Sequence, residues 1–394
     1  MLTFSTLVGP TPTAQGTSFG DSSRLYVQSN RSAANRAFYA HVLPSMRVGT
    51  FWTGRVSSCR PGTISSGARS AALDMVNTYR RMAGLRAVSF TSILSARAQQ
   101  AALMMEAAGT LSHTPDRSWP CWTSSGDYAA ERSNLALLYS GRLALPAYMA
   151  EPGTSNREVG HRRWILDPRQ ARMGIGQTRR VNALYLLDTT SWSWQTGSRP
   201  FTAWPTAGYF PVAMEPRGRW SLSSARTAYD FRRARVTVSG PSGRLGLTTF
   251  RDRSVISWDL ASPIRRGFGR DRTYTVTVSN ILRRGAAISP LRYKVVLVPL
   301  RRLRAIDAPS VDGASAMRAS SGTVLVADRG SWSPSGEVGR YTYQWLRDGV
   351  PIRDANGSSY TVRAADSGRL LSVRVSALPR SQNFRRGTAS STSG

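Results

Sequence analysis

Apolar residues recur at helical spacing in two stretches of the first half of the chain. The first stretch places its apolar side chains on one stripe: Ala72, Met75, Val76, Tyr79 and Met82. The second stretch repeats the pattern with Leu94, Ala98, Ala101 and Met105. A glycine, Gly84 or Gly109, follows each stripe, as is common where helices end. The spacing therefore predicts two amphipathic helices that bury one face each.

A third helix and a pair of strands are predicted after these two. Residues 142–153 carry a shorter helical pattern, and residues 172–188 form two apolar runs around the polar turn "QTRR". Helices followed by adjacent strands are typical of a layered α/β domain with an antiparallel sheet. We place this domain at residues 66–195.

The remaining sequence has the short alternating runs of an all-β structure. Between residues 196 and 302 the runs are "RARVTVSG", "SVISWDL", "RTYTVTVSN" and "RYKVVLVPL". Between residues 303 and 394 they are "GTVLVAD", "RYTYQWLRDG", "SSYTVRA" and "RLLSVRVSAL". Residues 1–65 are rich in Ser, Thr, Gly and Arg and predict a poorly ordered lead-in. The expected fold is an α/β domain followed by one or two all-β sandwiches, the first of them at 196–302.

Length and composition narrow the class of protein. At 394 residues the chain suits two or three domains, and its 41% hydrophobic content favours globular folding over disorder. No apolar run approaches the roughly 18 residues of a membrane-spanning helix. We therefore expect no membrane span.

The formal net charge is +31, and it comes almost entirely from arginine, since Lys294 is the sole lysine. The arginines are scattered as pairs, without a basic tail and without a zinc-finger, basic-zipper or RNP pattern. A diffuse positive field of this kind attracts polyanions in general. The charge thus favours an anionic cell-envelope polymer as partner and argues against sequence-specific nucleic-acid binding.

Cys59 and Cys121 are the two cysteines of the chain. A sparse, even count without a CxxC motif favours one structural disulfide, which predicts an oxidising compartment. The N-terminal residues show no basic segment followed by an apolar one, so no secretory signal is visible. The alternatives are a mis-assigned or truncated start and a cytoplasmic protein with free thiols. We favour the first and expect a secreted or cell-surface protein.

Two histidines lie where chemistry is plausible. His113 occurs in "TLSHTPD", in a loop after the second helix, and His161 occurs on a short helix in "GHRRWILDP". Their ordinary structural role would be satisfied polar residues near helix ends.

Three acidic residues could accompany these histidines. Glu151 continues the apolar stripe of the third helix, and a carboxylate on a core-facing stripe needs a partner, because burying an unpaired charge is costly. Glu131 heads another apolar run in "AAERSNLAL". Glu158, three residues after Ser155, has the spacing of a helix capping box and is the alternative acid.

The stretches "LSHTP", "AAERSNLAL", "YMAEPG" and "GHRRWILDPRQARMGIG" together resemble the CAP domain, also called the SCP/PR-1-like domain, of bacterial type. The resemblance implies an α-β-α sandwich with a cleft lined by two histidines and two acids. Carried over by motif, this tetrad is His113, Glu131, Glu151 and His161. The resemblance also implies secretion, disulfides and, in some members, binding of a divalent cation such as Zn²⁺ or Ca²⁺, or of a lipid or small hydrophobic ligand.

The last β segment resembles immunoglobulin-like repeats of bacterial surface proteins. "YQWLRDGVPI" supplies a core tryptophan, Trp345, and "ADSGRLLSVRV" is similar to the corner that leads into a late strand. The resemblance implies a spacer or adhesion module at residues 303–394.

Two functions follow as hypotheses from different classes. The first is a secreted or cell-surface CAP-domain protein that binds a ligand or divalent cation at the tetrad and catalyses no reaction. The alternative is a metal-dependent, peptidase-like hydrolase, in which the same tetrad holds Zn²⁺ that activates water. No HExxH helix is present to support the alternative, and the sequence assigns no catalytic residue. We therefore expect a binding protein rather than an enzyme.

Overall fold

A computed structural model describes residues 19–139, 141–312 and 320–391 of the chain. It divides into two compact units. Unit 1 holds the described residues up to Ile264 together with Arg272–Val298, and unit 2 holds Arg265–Asp271 with the described residues from Pro299 onwards. The α-helices lie in unit 1 and are α1 (Arg31–Arg36), α2 (Leu43–Ser45), α3 (Ser66–Met82), α4 (Ser92–Ala108), α5 (Ser124–Glu131), α6 (Gly141–Ala150) and α7 (Gly160–Ile165).

Both units contain strands. Those of unit 1 are β1 (Val27–Gln28), β2 (Ser89–Phe90), β3 (Ser133–Leu137), β4 (Arg172–Gln177), β5 (Val181–Tyr185), β6 (Thr202–Trp204), β7 (Ala207–Pro211), β8 (Arg219–Ser223), β9 (Tyr229–Asp230), β10 (Arg235–Gly240), β11 (Gly243–Arg244), β12 (Leu247–Arg251), β13 (Val255–Leu260), β14 (Arg272–Ser279), β15 (Leu282–Arg283), β16 (Ala286–Ala287) and β17 (Leu291–Val298). Those of unit 2 are β18 (Arg301–Arg302), β19 (Arg304–Ala305), β20 (Ser310–Asp312), β21 (Val324–Asp328), β22 (Trp332–Ser333), β23 (Val338–Arg347), β24 (Val350–Pro351), β25 (Ser359–Thr361), β26 (Leu371–Pro379), β27 (Phe384–Arg385) and β28 (Gly387–Ser390).

The two long helices form where the apolar stripes predict them. Every residue of both stripes is buried. The Ser65 side chain accepts a hydrogen bond from an amide of the first turn of α3, and Thr91 does the same for α4, so both N-termini are capped. Gly109 ends α4 in the left-handed conformation that glycine adopts at little cost.

The predicted strand pair is the centre of the α/β part. β4 and β5 form an antiparallel hairpin, and the sheet order is β2-β4-β5-β3. Helix α4 lies directly on β4, because Gly174 and Gly176 present no side chains to it. A Cβ at Gly176 would lie 2.2 Å from the carbonyl oxygen of Ala98. The two glycines therefore set the close approach of helix and sheet.

Helices cover both faces of this sheet. Ala183 packs in the apolar cluster that contains residues of α4 and α5. Its neighbour Asn182 must point to the opposite face, because side chains alternate along a strand. On that face the Asn182 side chain accepts a hydrogen bond from Tyr148 of α6. The predicted α-β-α sandwich is confirmed.

The predicted all-β region after the sandwich is also confirmed. A six-stranded sheet has the order β1-β7-β17-β14-β10-β11, and a four-stranded sheet has the order β12-β13-β8-β6. Buried aromatic rings connect the two sheets: Trp220 of β8 meets Tyr274 of β14 edge to face, with ring centroids 5.6 Å apart. Both rings are buried, so the core of this region lies between the sheets.

The segment before the sandwich differs from the poorly ordered lead-in that composition predicts for residues 1–65. From residue 19 onwards it is described in regular elements: α1, a π-helical segment Ala37–Val42 and α2 in succession. Strand β1 pairs in parallel with β7, and Leu25 and Phe38 are buried. Its partner strand is about 180 residues distant in the chain, so no local pattern could reveal the pairing. The part of the lead-in before residue 19 lies outside the described residues.

Cys59 and Cys121 form the expected disulfide, with Cα atoms 5.1 Å apart. The bond joins the loop before α3 to the segment before α5 and closes 62 residues of chain. In the chain-entropy model a loop of this length stabilises the fold by about 4 kcal/mol.

Unit 2 is a β structure built around the predicted tryptophan. Trp345 of β23 is fully buried and stacks on Tyr360 of β25, with ring centroids 5.6 Å apart. The Tyr360 hydroxyl donates to Asp366, which also accepts from the Arg363 amide and from Arg347. Burial alone would raise the pKa of Asp366, but these hydrogen bonds outweigh it and hold the pKa below its usual value.

Candidate functional site

Two strained turns place Glu151 and His161 opposite each other. Glu151 follows the last residue of α6 with a φ of 53°, and Pro152 then prevents the helix from continuing. Val159 immediately precedes α7 with a φ of 49° and is fully buried. A left-handed conformation costs a non-glycine residue about 1–2 kcal/mol. Such strain is often found at functional sites, where the surrounding packing maintains it.

Glu151 and His161 form a directly bonded pair. The Glu151 side chain has 0% exposure, and one of its oxygens lies 2.7 Å from Nδ1 of His161. Its other oxygen accepts a hydrogen bond of 2.7 Å from the backbone N–H of Arg162. A carboxylate with these two neighbours accepts from both, so the hydrogen-bond network assigns the imidazole proton to Nδ1. The Nε2 atom of His161 has no hydrogen-bond partner among the residues that the structure describes.

Tyr148 and Asn134 fix the orientation of the imidazole. The Tyr148 ring stacks on the His161 ring at 5.1 Å between centroids. The Tyr148 hydroxyl shares its proton between the Asn134 carbonyl and Asn182 Oδ1, each at 3.0 Å, and the Asn134 side chain donates to the His161 carbonyl at 3.0 Å. Burial, with a smaller effect of Glu151, raises the pKa of Tyr148 well above its usual value. Tyr148 therefore stays a neutral support for the pair.

Arg162 is a buried cation that connects the pair to the β region. Its guanidinium donates to the Met149 carbonyl at 2.8 Å, to Ser221 Oγ at 2.8 Å and to the Arg219 carbonyl at 3.0 Å. Burial lowers its pKa to about 10, and the Glu151 carboxylate opposes that shift. The buried positive and negative charges compensate each other, as buried charges must.

Two further arginines hold the chain on either side of the pair. Arg219 donates to the carbonyls of Glu151 and Gly153 and pairs with Asp259, and so binds the carboxyl end of α6. Arg80, fully buried in α3, donates to the carbonyl of Ile165, the last residue of α7, at 2.8 Å and to that of Asp167 at 2.9 Å. Their hydrogen bonds to the backbone restrict how far the two turns can move.

None of the other predicted site residues forms a hydrogen bond or ion pair with Glu151 or His161 in the described part of the chain. His113 is exposed, and its Nδ1 lies 2.8 Å from the carbonyl oxygen of Ala130. The neighbouring Glu131 has a side chain that is 60% exposed and that pairs with Arg132. Glu158 is exposed and forms no part of the pair, and the capping box expected for it is absent, because α7 begins at Gly160 without a side-chain cap.

A metal ion does not fit the tetrad in this arrangement. Both oxygens of Glu151 accept hydrogen bonds, and the Glu131 carboxylate is engaged by an arginine. Across residues 19–139, 141–312 and 320–391, no three His, Cys, Asp or Glu side chains are grouped so that they could hold one. The expectation of Zn²⁺ or Ca²⁺ at these four residues therefore finds no preformed site.

Sequence reasoning did not anticipate the roles of Arg162, Arg80 and Asn134. Arginines in a strongly basic chain resemble ordinary solvated residues, and the Ser221 partner of Arg162 is 59 positions away. The one available signal was the position of Arg162 next to His161, on a short helix that ends in the apolar residues Trp164 and Ile165.

The fold and the pair define an α-β-α domain in which a buried glutamate, Glu151, is hydrogen-bonded to a mostly buried histidine, His161. Residues 73–183 match the model of the CAP family, described as the cysteine-rich secretory protein family. A CAP domain is therefore present in this chain, and its matched span includes all four residues of the predicted tetrad.

Solved structures similar to the chain are β domains. Tandem immunoglobulin domains of titin are 10% identical, with 44% of this chain and 85% of that chain covered and a TM-score of 0.16. The ectodomain of mouse nectin-like molecule 4 is 13% identical, with 57% and 80% covered and a TM-score of 0.20. Fibronectin(III)-like modules of Clostridium thermocellum CbhA are 14% identical, with 48% and 92% covered and a TM-score of 0.15. Likenesses this distant carry no argument about function. No curated protein matches the chain.

Among the residues that the structure describes, none of the helices is both long enough and apolar enough to cross a bilayer.

Proposed function

We propose that this chain is a secreted or cell-surface CAP-domain protein that binds a small organic ligand at His161 and catalyses no reaction. The family description names secretory proteins, and the Cys59–Cys121 disulfide suits an oxidising compartment. The two β regions act as spacers or as adhesion modules at the cell envelope. The net charge of +31 supports contact with an anionic envelope polymer.

The observation that carries the proposal is the fully buried Glu151 bonded to Nδ1 of a histidine that is 25% exposed. Glu151 is costly to bury, and its hydrogen bond sets the tautomer and the ring orientation of His161. The result is a fixed acceptor, Nε2, on the accessible part of the ring.

The chemistry of this acceptor limits the ligand. A neutral imidazole with Nδ1 protonated accepts a hydrogen bond at Nε2, and a hydroxyl or N–H group of a ligand can donate it. The engaged carboxylates of Glu151 and Glu131 favour such a ligand over a divalent cation. Of the ligands that the CAP resemblance implies, a lipid-like molecule with a hydroxyl head group meets this requirement.

Titration calorimetry on the full chain tests the proposal, with dodecanol, Zn²⁺ and Ca²⁺ as separate probes. The variant is His161→Gln, and the matched control is His41→Gln. His41 also pairs with a carboxylate, that of Asp74, but neither residue lies on the helix that carries His161. Loss of one hydrogen bond weakens binding about tenfold. We expect the His161 variant to bind dodecanol about tenfold more weakly than the wild type and the control.

Two results would contradict the proposal. Equal heats of dodecanol binding in all three proteins would show that His161 does not take part in the binding. Tight Zn²⁺ or Ca²⁺ binding that the His161 variant alone loses would make the site a metal centre instead.

A further inference from the structure

A cavity lies in unit 1 beside the segment of residues 163–169, which follows His161 in the chain. Its volume is about 390 Å³, within the range of small-molecule sites. One wall is formed by residues 163–169, at the end of α7 and just after it, and the other by residues near the ends of β6, β8 and β13. Residues two apart on a helix point in nearly opposite directions, so Arg163 faces this cavity while His161 faces Glu151. We call it the arginine cavity.

Four arginines line the arginine cavity: Arg163, Arg169, Arg226 and Arg253. The acid in the lining is Asp167, and Arg169 already donates to both of its oxygens, at 3.0 and 2.6 Å. The other three guanidiniums have no hydrogen bond to a carboxylate in the described part of the chain. The lining therefore carries an excess of positive charge.

The hydrogen-bonding capacity of these three arginines is only partly used. Arg163 donates to Ser254, but its Nε is buried without a partner among the described residues. Arg226 donates to Ser198, and the Arg253 guanidinium makes no hydrogen bond in the described structure. Arg253 does act electrostatically on Asp230, which is itself bonded to Arg232. Planar guanidiniums with spare donors are suited to bind carboxylate or phosphate oxygens.

Aromatic rings adjoin these charges. Trp164 lines the cavity and stacks on Trp192, and Arg169 lies 3.9 Å from the centre of the Trp192 ring. Arg226 lies 4.8 Å from the centre of the Trp194 ring, which is 46% exposed. An exposed indole offers a flat apolar surface on which another ring can stack.

The lining also carries hydroxyl groups, among them those of Thr202 and Thr227. Neither has a side-chain hydrogen bond within the described residues. Each can both donate and accept, which matches the hydroxyl groups of a sugar.

We propose that the arginine cavity binds an anionic saccharide, namely a sugar unit that carries a carboxylate or a phosphate. The guanidiniums of Arg163 and Arg253 bind the anionic group. The exposed Trp194 ring stacks on the sugar, and the threonine hydroxyls bind its hydroxyl groups. The site is separate from the His161 site and does not depend on its function.

Tryptophan fluorescence titrations of the full chain in 150 mM NaCl test this site. The probes are glucuronate, glucose 1-phosphate, glucose and inorganic phosphate. The cavity variant is Arg163→Gln with Arg253→Gln. The control is Arg235→Gln with Arg244→Gln, which removes the same charge from exposed positions outside the cavity.

We expect one or both anionic sugars to bind the wild type at least tenfold more tightly than glucose or inorganic phosphate. The cavity variant loses at least tenfold in affinity, and the control stays within twofold. The single variant Arg253→Gln, at an exposed position, shows the same direction even if the double variant folds poorly.

Several outcomes would overturn the proposal. Equal losses in the cavity variant and the control would indicate the general field of a +31 chain rather than a site. If inorganic phosphate binds as tightly as the sugars, the cavity does not recognise the saccharide part of the ligand. A single-stranded oligonucleotide that binds more tightly than either sugar, with the same dependence on the cavity arginines, would identify nucleic acid as the partner.

Discussion

Replacing Glu151 by glutamine probes the buried pair with almost no change in side-chain volume. In the wild type, the Glu151 carboxylate accepts hydrogen bonds from His161 Nδ1 and from the Arg162 backbone N–H, and it lies in the field of the buried Arg162 guanidinium. Glutamine has one acceptor oxygen and one NH₂ group. Glutamine can therefore not satisfy both the His161 Nδ1–H and the Arg162 N–H donors unless His161 changes its tautomer.

The expected cost follows from the number of bonds affected. A hydrogen bond to a charged group contributes about 1.5–3 kcal/mol and a neutral one about 0.5–1.5 kcal/mol. Two bonds that change from charged to neutral lose about 2–3 kcal/mol together. The Arg162 guanidinium also loses the attraction of the Glu151 carboxylate, which places the expected cost at the upper end of this range. We expect about 3 kcal/mol, which corresponds to roughly a hundredfold change in an equilibrium constant.

Hydrogen–deuterium exchange of the native full chain measures this effect within unit 1. Backbone amides of α7 and β5 in Glu151→Gln should exchange about a hundredfold faster than in the wild type. Glu131→Gln is the matched control, because the Glu131 side chain is 60% exposed and should change exchange by less than threefold. Exchange in the Glu151 variant as slow as in the control would refute the reasoning.

Three further predictions concern the fold. Gly176→Ala forces a Cβ against the α4 backbone at a cost of about 3 kcal/mol, and should therefore lower the Tm of unit 1 by roughly 6–12 °C. The control Gly67→Ala, which has open space around it in α3, should not lower the Tm. Equal Tm values for the two variants would contradict this prediction. Joint replacement of Cys59 and Cys121 by serine should lower the free energy of unfolding by about 4 kcal/mol in urea titrations, and a loss below about 1 kcal/mol would contradict the loop-closure argument. The lowered pKa of Asp366 stabilises unit 2 above the ordinary carboxyl pKa of about 3.9, and this stabilisation is lost as the pH falls through the lower folded value. Asp366→Asn should therefore flatten the acid limb of the stability profile of unit 2, and an unchanged limb would count against this role.

The sequence predicts those parts of the fold in which local pattern and burial coincide. The stripes of α3 and α4 are periodic, and both helices form as expected. The segment from residue 19 to 65 has isolated apolar residues in a polar context, and its strand β1 pairs with the distant β7. The regular structure of this segment depends on contacts with residues that are distant in the sequence.

The site was predictable to the extent that its residues stood out from their surroundings. Glu151 was a charged residue on an apolar stripe, and the structure buries it against His161. Glu131 had no comparable signal beyond the CAP resemblance, and it lies at the surface. The role of Arg162 depends on β8, which follows it by more than fifty residues, so only the folded chain reveals it.

The imidazole tautomer of His161 tests the central claim most directly, because the proposed binding depends on Glu151 holding the proton on Nδ1. Long-range ¹H–¹⁵N NMR spectra of the full chain, recorded at a pH where the ring is neutral, distinguish the two nitrogens. We predict a protonated Nδ1 and a proton-free Nε2 in the wild type and in Glu131→Gln, and the opposite tautomer in Glu151→Gln. A protonated Nε2 in the wild type, or a His161 spectrum that Glu151→Gln leaves unchanged, would contradict the claim.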